Sequence, residues 1–221
     1  MAGAMSEKSA SAERQRGRPS GDRKVVVPDE LVRALHQVLA TKPAHEITVR
    51  EIAALAGSSP EMVRYYFNGK DGLITALLDQ SLTRVQARLT ELKQGVSSAS
   101  SGHSRLIVRC LAALYLDERG AGKLFNSEFS GARSRHHPME LERRSGTIVE
   151  ALHEVITGLI DRGIYRATLD PGRAAILIMS VTGCPVRLLD TLGSRWLDEA
   201  KLRDPGWDDD MTRMVDACCL A

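Results

Sequence analysis

The chain has 221 residues, 43% of them apolar and 26% charged, with a formal net charge of +2. These values exclude a generally disordered polymer and suit one good core, or one core with a small appended module. No apolar run reaches the ~18 residues that cross a bilayer, and the start M-A-G-A-M-S-E-K lacks the apolar stretch of a signal peptide, so a cytoplasmic protein without membrane contact is expected.

Residues 1–24 are Ser, Ala, Gly and charge without apolar periodicity, and read as a mobile arm. Arg14, Arg16, Arg18, Arg23 and Lys24 stand there against Asp22 alone within 14–24, the pattern of an arm that seeks polyanions or of a tail that aids solubility. Helical signals begin at Pro28, which suits a first helical position, with Asp29 and Glu30 favouring the positive helix start. Leu31, Leu35, Val38 and Leu39 give one apolar face, and Pro43 ends that helix.

Thr48-Val49-Arg50-Glu51 forms a capping box, with Ile47 and Ile52 placed as a hydrophobic staple. The helix so started carries Ile52, Ala53 and Leu55 and stops at Gly57. Ser59 is placed to cap a second short helix, with Pro60 at its first position. That helix holds Met62, Val63, Tyr66 and Phe67 and ends at Asn68-Gly69. Two short helices joined by a tight Gly-containing turn make a helix-turn-helix.

From Lys70 a long helix runs to about Gln94, with Leu73, Ile74, Leu77, Leu78, Leu82, Val85, Leu89 and Leu92 in a three-four rhythm. The Ser-rich stretch Gly95 to Gly102 reads as a loop. Leu106 to Leu116 is the next apolar helix, followed by a Gly-rich break and a short amphipathic piece around Leu124, Phe125 and Phe129. Pro138 precedes a long helix with Ile148, Leu152, Val155, Ile156, Leu159 and Ile160 on its apolar face. Asp170-Pro171 caps another, apolar on nearly every side from Ala174 to Val181, so it needs covering on two faces. Met211, Met214, Val215 and Cys218 mark a last helix beyond Pro205-Gly206. With no strand alternation and no internal repeat, the expected fold is all-α.

The stretch T-V-R-E-I-A-A-L-A-G-S-S-P-E-M-V-R-Y-Y-F from Thr48 to Phe67, followed by N-G-K-D-G-L, closely resembles the DNA-binding signature of the TetR family. The close resemblance covers roughly residues 25–80. It implies a basic arm (1–24), a three-helix helix-turn-helix head (25–80) and a helical effector-binding and dimerisation body (81–221). It implies a homodimeric, sequence-specific transcriptional regulator without a cofactor, a repressor that leaves a palindromic operator when a small-molecule effector binds. The alternative is an architectural or activating DNA-binding protein that senses no ligand.

A helix-turn-helix lays its second helix in the major groove while the first crosses the backbone. By spacing, Val63 and Phe67 face the core with Ile52 and Leu55, which leaves Ser59, Pro60, Glu61, Met62, Arg64, Tyr65 and Tyr66 as the DNA face. In the family, positions matching Thr48, Tyr66 and Lys70 commonly contact phosphates, and a hydroxyl, a phenol and an ammonium are suitable donors. Arg64 either bonds guanine in bidentate fashion or meets a phosphate. Glu61 either accepts from a cytosine amine or pairs with Arg64. Arg16 and Arg18, in R-G-R-P, suit an arm entering an adjacent narrow minor groove.

Cys110, Cys184, Cys218 and Cys219 show no C-x-x-C spacing and read as reduced thiols. His36, His45, His103, His136, His137 and His153 lack zinc-ligand spacing, so no metal is expected. No phosphate loop, G-x-S-x-G or recognisable carboxylate pair argues for an enzyme. Tyr115, Phe125, Phe129 and His137 are the candidates for an effector pocket, against the alternative of ordinary core and surface. The dimer interface is expected on the helix Pro171–Leu189 through Leu177, Ile178 and Val181, with Met214 on the last helix.

Overall fold

A computed structural model describes residues 28–129, 138–189, 192 and 195–221. Arg16, Arg18 and His137 lie outside them, as do the side chains of Phe125 and Phe129. Among the described residues every regular element is helical, apart from one isolated bridge between Tyr165 and Leu220.

The head begins with α1 (Pro28–Thr41), which buries Leu31, Val32, Ala34, Leu35, Val38 and Leu39 along one stripe. A short 3-10 turn (Ala44–Glu46) leads to α2 (Val49–Leu55) and α3 (Pro60–Phe67). Their core is Ile47, Ile52, Ala53 and Val63, closed by Leu73, Ile74, Leu77 and Leu78 from the start of α4 (Lys70–Ser98). Ala121 and Leu124 of α6 (Arg119–Phe129) also belong to this cluster, so a helix from far along the chain completes the head.

The body core takes over along α4 at Val85, Leu89, Leu92 and Val96. Against these pack α5 (His103–Asp117), α7 (Pro138–Asp161), α8 (Pro171–Leu188) and α10 (Pro205–Cys219), with the four-residue α9 (Glu199–Leu202) beside them. Fully buried Tyr165 shares a 2.9 Å hydrogen bond with Ser104, and the chain after α10 pairs with the segment at Tyr165 through Arg166 N–H to Cys219 O (2.9 Å) and Ala221 N–H to Ile164 O (3.2 Å). Asp170 caps α8 by accepting from Arg173 N–H at 2.7 Å, as its sequence position suggested. No described helix is long and apolar enough to cross a membrane.

Three boundaries differ from the sequence expectation. The long helix continues through Gly95 to Ser98, because Val96 buries itself in the body core and offsets the cost of a helical glycine. The Gly-rich break after α5 is a single residue, Glu118, and α6 runs through Gly120 and Gly122. Gly120 is required by packing, since a Cβ there would stand 2.5 Å from the carbonyl oxygen of His36 in α1. The segment before α10 also holds α9, too short for any periodicity to reveal.

Candidate nucleic-acid interface

α2 starts where Thr48 accepts a 3.2 Å hydrogen bond from Glu51 N–H. The hydroxyl serves there as acceptor, so its own proton remains for a phosphate. The Glu51 carboxylate is held chiefly by Lys42 at 2.5 Å, and this partner lowers its pKa from the ordinary carboxylate value; the amide of Thr48 contributes less. The capping box is thus anchored to the end of α1 as well as closed on itself.

The turn after α2 is a Schellman arrangement. Ser58 N–H reaches Ala53 O at 2.8 Å and Gly57 N–H reaches Ala54 O at 3.1 Å, with Gly57 at φ +64°. That left-handed residue reverses the chain within three residues and delivers α3 across α2. Asn68 ends α3 at φ 56°, and its N–H bonds Arg64 O at 3.0 Å. Gly72 then lets α4 press on α3, because a Cβ there would lie 1.9 Å from Phe67 O.

The outer face of α3 presents Glu61, Arg64, Tyr65 and Tyr66 to solvent, with Tyr65 77% exposed. The two tyrosine rings meet edge to face, their centroids 5.0 Å apart at 79°. Each steadies the other, so two rigid phenols stand side by side on the outside of the helix. Thr48 is exposed at the start of α2, and Ser59 and Pro60 are half-buried at the start of α3.

Several sequence expectations change. Met62 is half-buried and packs on the head core, so it leaves the outer face. Leu55 does the reverse: it is 53% exposed, and α2 seals the core with Ile52 and Ala53 instead. Ser59 occupies the N-cap position of α3 but makes no cap hydrogen bond. Its hydroxyl goes to the Glu61 carboxylate, which this bond, the Glu61 amide and, more weakly, Arg64 hold below the ordinary value. Glu61 is therefore anchored mainly by Ser59, a partner the sequence reading did not weigh.

Lys70 has an internal role that spacing did not reveal. Its ammonium donates to Ala44 O (2.5 Å) and Ile47 O (2.7 Å), tying the first residue of α4 to the turn before α2. Burial pushes its pKa down, with a smaller opposing effect from Asp71. An ammonium has three donors, so one is left for an external anion.

Of the effector-pocket candidates, Tyr115 is half-buried, packs between the two body clusters and lies over α8, where a Cβ on Gly183 would meet its ring at 3.1 Å. On α8, Ile178 is fully buried within its own protomer, which corrects its placement on an exposed interface face, and Val181 is half-buried against the same core. The exposed large apolar side chains of α8 are Ile176, Leu177 and Leu188, with Met214 exposed on α10. No group of three or more metal-ligating side chains occurs among the described residues.

A capped, Schellman-linked pair of short helices, with a sealed inner face and a polar, aromatic outer one, defines a helix-turn-helix head on an all-helical body. Residues 31–77 match the family described as bacterial regulatory proteins, tetR family. Over these residues the chain is similar to that family. It is 34% identical over 77 residues to the HTH-type transcriptional regulator BetI of Brucella canis, an alignment covering 35% of this chain. The chain spans 37% of the length of the curated relatives it matches. The likeness extends to the whole fold in solved structures. A Saccharomonospora viridis protein in complex with choline superposes with a TM-score of 0.67 over 88% of this chain and 97% of its own, at 13% identity. AibR in complex with isovaleryl coenzyme A and operator DNA superposes with a TM-score of 0.62 over 86% and 96%, also at 13% identity.

Proposed function

We propose that this protein is a sequence-specific DNA-binding transcriptional regulator that acts as a homodimer on a palindromic operator. The observation that carries the reading is the face of α3, where Arg64, Tyr65 and Tyr66 stand exposed beyond a core sealed by Val63. Arg64 supplies a guanidinium fork for base edges, and the Tyr66 phenol, the Thr48 hydroxyl and the third Lys70 donor supply phosphate contacts.

Dimerisation is assigned to the exposed apolar side chains Ile176, Leu177 and Leu188 on α8 and Met214 on α10. Large apolar side chains left exposed suit an interaction surface, and a two-fold contact of this face with its copy also supplies the second head that a palindrome requires. The effector is a small molecule bound in the body, as choline and isovaleryl coenzyme A accompany the two structural neighbours. Its binding shifts the spacing of the heads and ends repression, through its differential affinity for the two spacings. Selection of binding sites from a random duplex pool tests the reading. An enriched inverted repeat is the expected outcome; a pool that stays random supports the architectural alternative instead.

A further inference from the structure

Where head meets body, one carboxylate is buried against a guanidinium of α4. Glu118 closes α5, immediately before α6, and is 4% exposed. Arg84 of α4 grips both of its oxygens, Nε at 2.6 Å and Nη2 at 3.0 Å, the strong two-point geometry of a guanidinium on a carboxylate. Ser81, one turn earlier in α4, and the charge of His36 in α1 also favour the ionised carboxylate. Burial alone pushes the Glu118 carboxyl up, but these partners together outweigh it and hold it below the ordinary carboxylate range.

The next residues of the same segment are fixed to α1. Gly120 touches the His36 backbone closely enough to forbid a Cβ, and Lys123 donates to Ala40 O at 2.7 Å. The segment 118–123 is therefore gripped on one side by α4 and on the other by α1. Beside the ion pair a cleft of about 800 Å³ opens between α1, α4 and α5, walled by Val32, Arg33, Leu77, Arg88 and Asp117. α1 and α4 share the head core through Val32 and Leu77, and Gln80 donates to Asp29 between them, so the ion pair acts beside that packing rather than in place of it. A buried ion pair adds little net stability compared with packed apolar side chains. What it does add is a geometry: a two-point bond that breaks if α4 turns about its axis.

We propose that Glu118 is a positioning residue which, through Arg84, holds α4 at one angle to the α1–α6 unit and thereby sets how the head presents α3. The proposal rests on the DNA-binding reading above. It touches no phosphate, so its loss changes affinity without changing the count of ions released.

The test compares Glu118→Gln, Arg84→Gln and the double variant for affinity to the selected operator across a salt series, with hydrogen exchange on the free proteins. Each single change is expected to weaken operator binding about three- to thirty-fold, the range for residues that couple sites without touching either ligand. The slope of log affinity against log salt stays that of the wild type, and the double variant is no worse than the worse single one. Arg84→Lys, which keeps the charge but loses the two-point grip, falls between wild type and Arg84→Gln. Unchanged affinity in both single variants, additive losses, or a reduced salt slope each overturn the proposal. Hydrogen exchange separates its failure from failure of the DNA-binding reading. If the wild type binds no duplex, faster exchange across 33–40 and 119–124, with Ile148–Leu159 unchanged, still supports the strut, and unchanged rates in those segments refute it. If Glu118→Gln does not fold, Arg84→Lys carries the same comparisons.

Discussion

Gly72 in α4 lies against Phe67 at the end of α3 so closely that a Cβ would stand 1.9 Å from the Phe67 carbonyl oxygen. The outer helix of the helix-turn-helix, α3, and the lever that leaves it are therefore in backbone contact. At an ordinary helical site, replacing Gly by Ala stabilises by roughly 0.5–1 kcal/mol. Here the sign reverses, because the opposing atom is backbone. Gly72→Ala is expected to destabilise the head by about 1–3 kcal/mol, the usual cost of forcing atoms into a packed contact. A denaturant titration that shows Gly72→Ala as stable as the wild type contradicts that close approach.

Lys70 contributes to the same joint from the other side. Lys70→Met keeps the aliphatic stem and removes the donors to Ala44 and Ile47. It is expected to lower stability by about 1–3 kcal/mol, the cost of leaving half-buried acceptors unpaired, and to weaken DNA binding equally across sequences. Loss of affinity with unchanged thermal stability would reduce Lys70 to a phosphate contact alone.

On α8 the decision lies between neighbouring residues. Ile176 is 60% exposed and Ile178 is fully buried. Ile176→Asp is expected to give a folded monomer by sedimentation, because it places two like charges across the two-fold contact. Ile178→Asp instead buries a charge within one protomer and lowers the melting temperature. A stable dimer with Ile176→Asp, Leu177→Asp and Met214→Asp all present removes the interface from this face.

Much of the head was legible because its signals are local. Thr48, Pro60, Gly57 and Asn68 act within four residues of themselves, so the capped helices and their turn follow from adjacent sequence. What sequence could not show depends on distant partners. Gly120 reads as a helix breaker until His36 is seen beneath it, and Lys70 reads as a surface cation until the carbonyls of Ala44 and Ile47 are seen to receive it. α8 failed for a third reason: a helix apolar around most of its circumference carries no periodicity to separate Ile178, facing its own core, from Ile176, facing out. Leu55 and Met62 exchanged places because α2 and α3 are too short for spacing to fix their rotation.

The Glu118 carboxyl carries a defined pH dependence. Its folded pKa is held below the unfolded value, so the stabilisation it gives is complete above about pH 4.5 and is lost as pH falls through the lower folded value. The stability difference between wild type and Glu118→Gln is therefore expected to be flat from neutral pH down to about 5 and to shrink below about 4.5. A difference that already collapses between pH 7 and 6 would assign the effect to a histidine instead.

That the exposed face of α3 reads DNA, twice per dimer, is tested most directly by a hydroxyl-radical footprint on the duplex recovered by selection. Two protected patches related by a dyad are predicted, their centres about 34–36 Å or a multiple apart. Arg64→Ala should blur preference at one symmetric base-pair position in each half, at a cost of about 1–3 kcal/mol. A footprint without a dyad, or protection that slides equally over any sequence, contradicts the account.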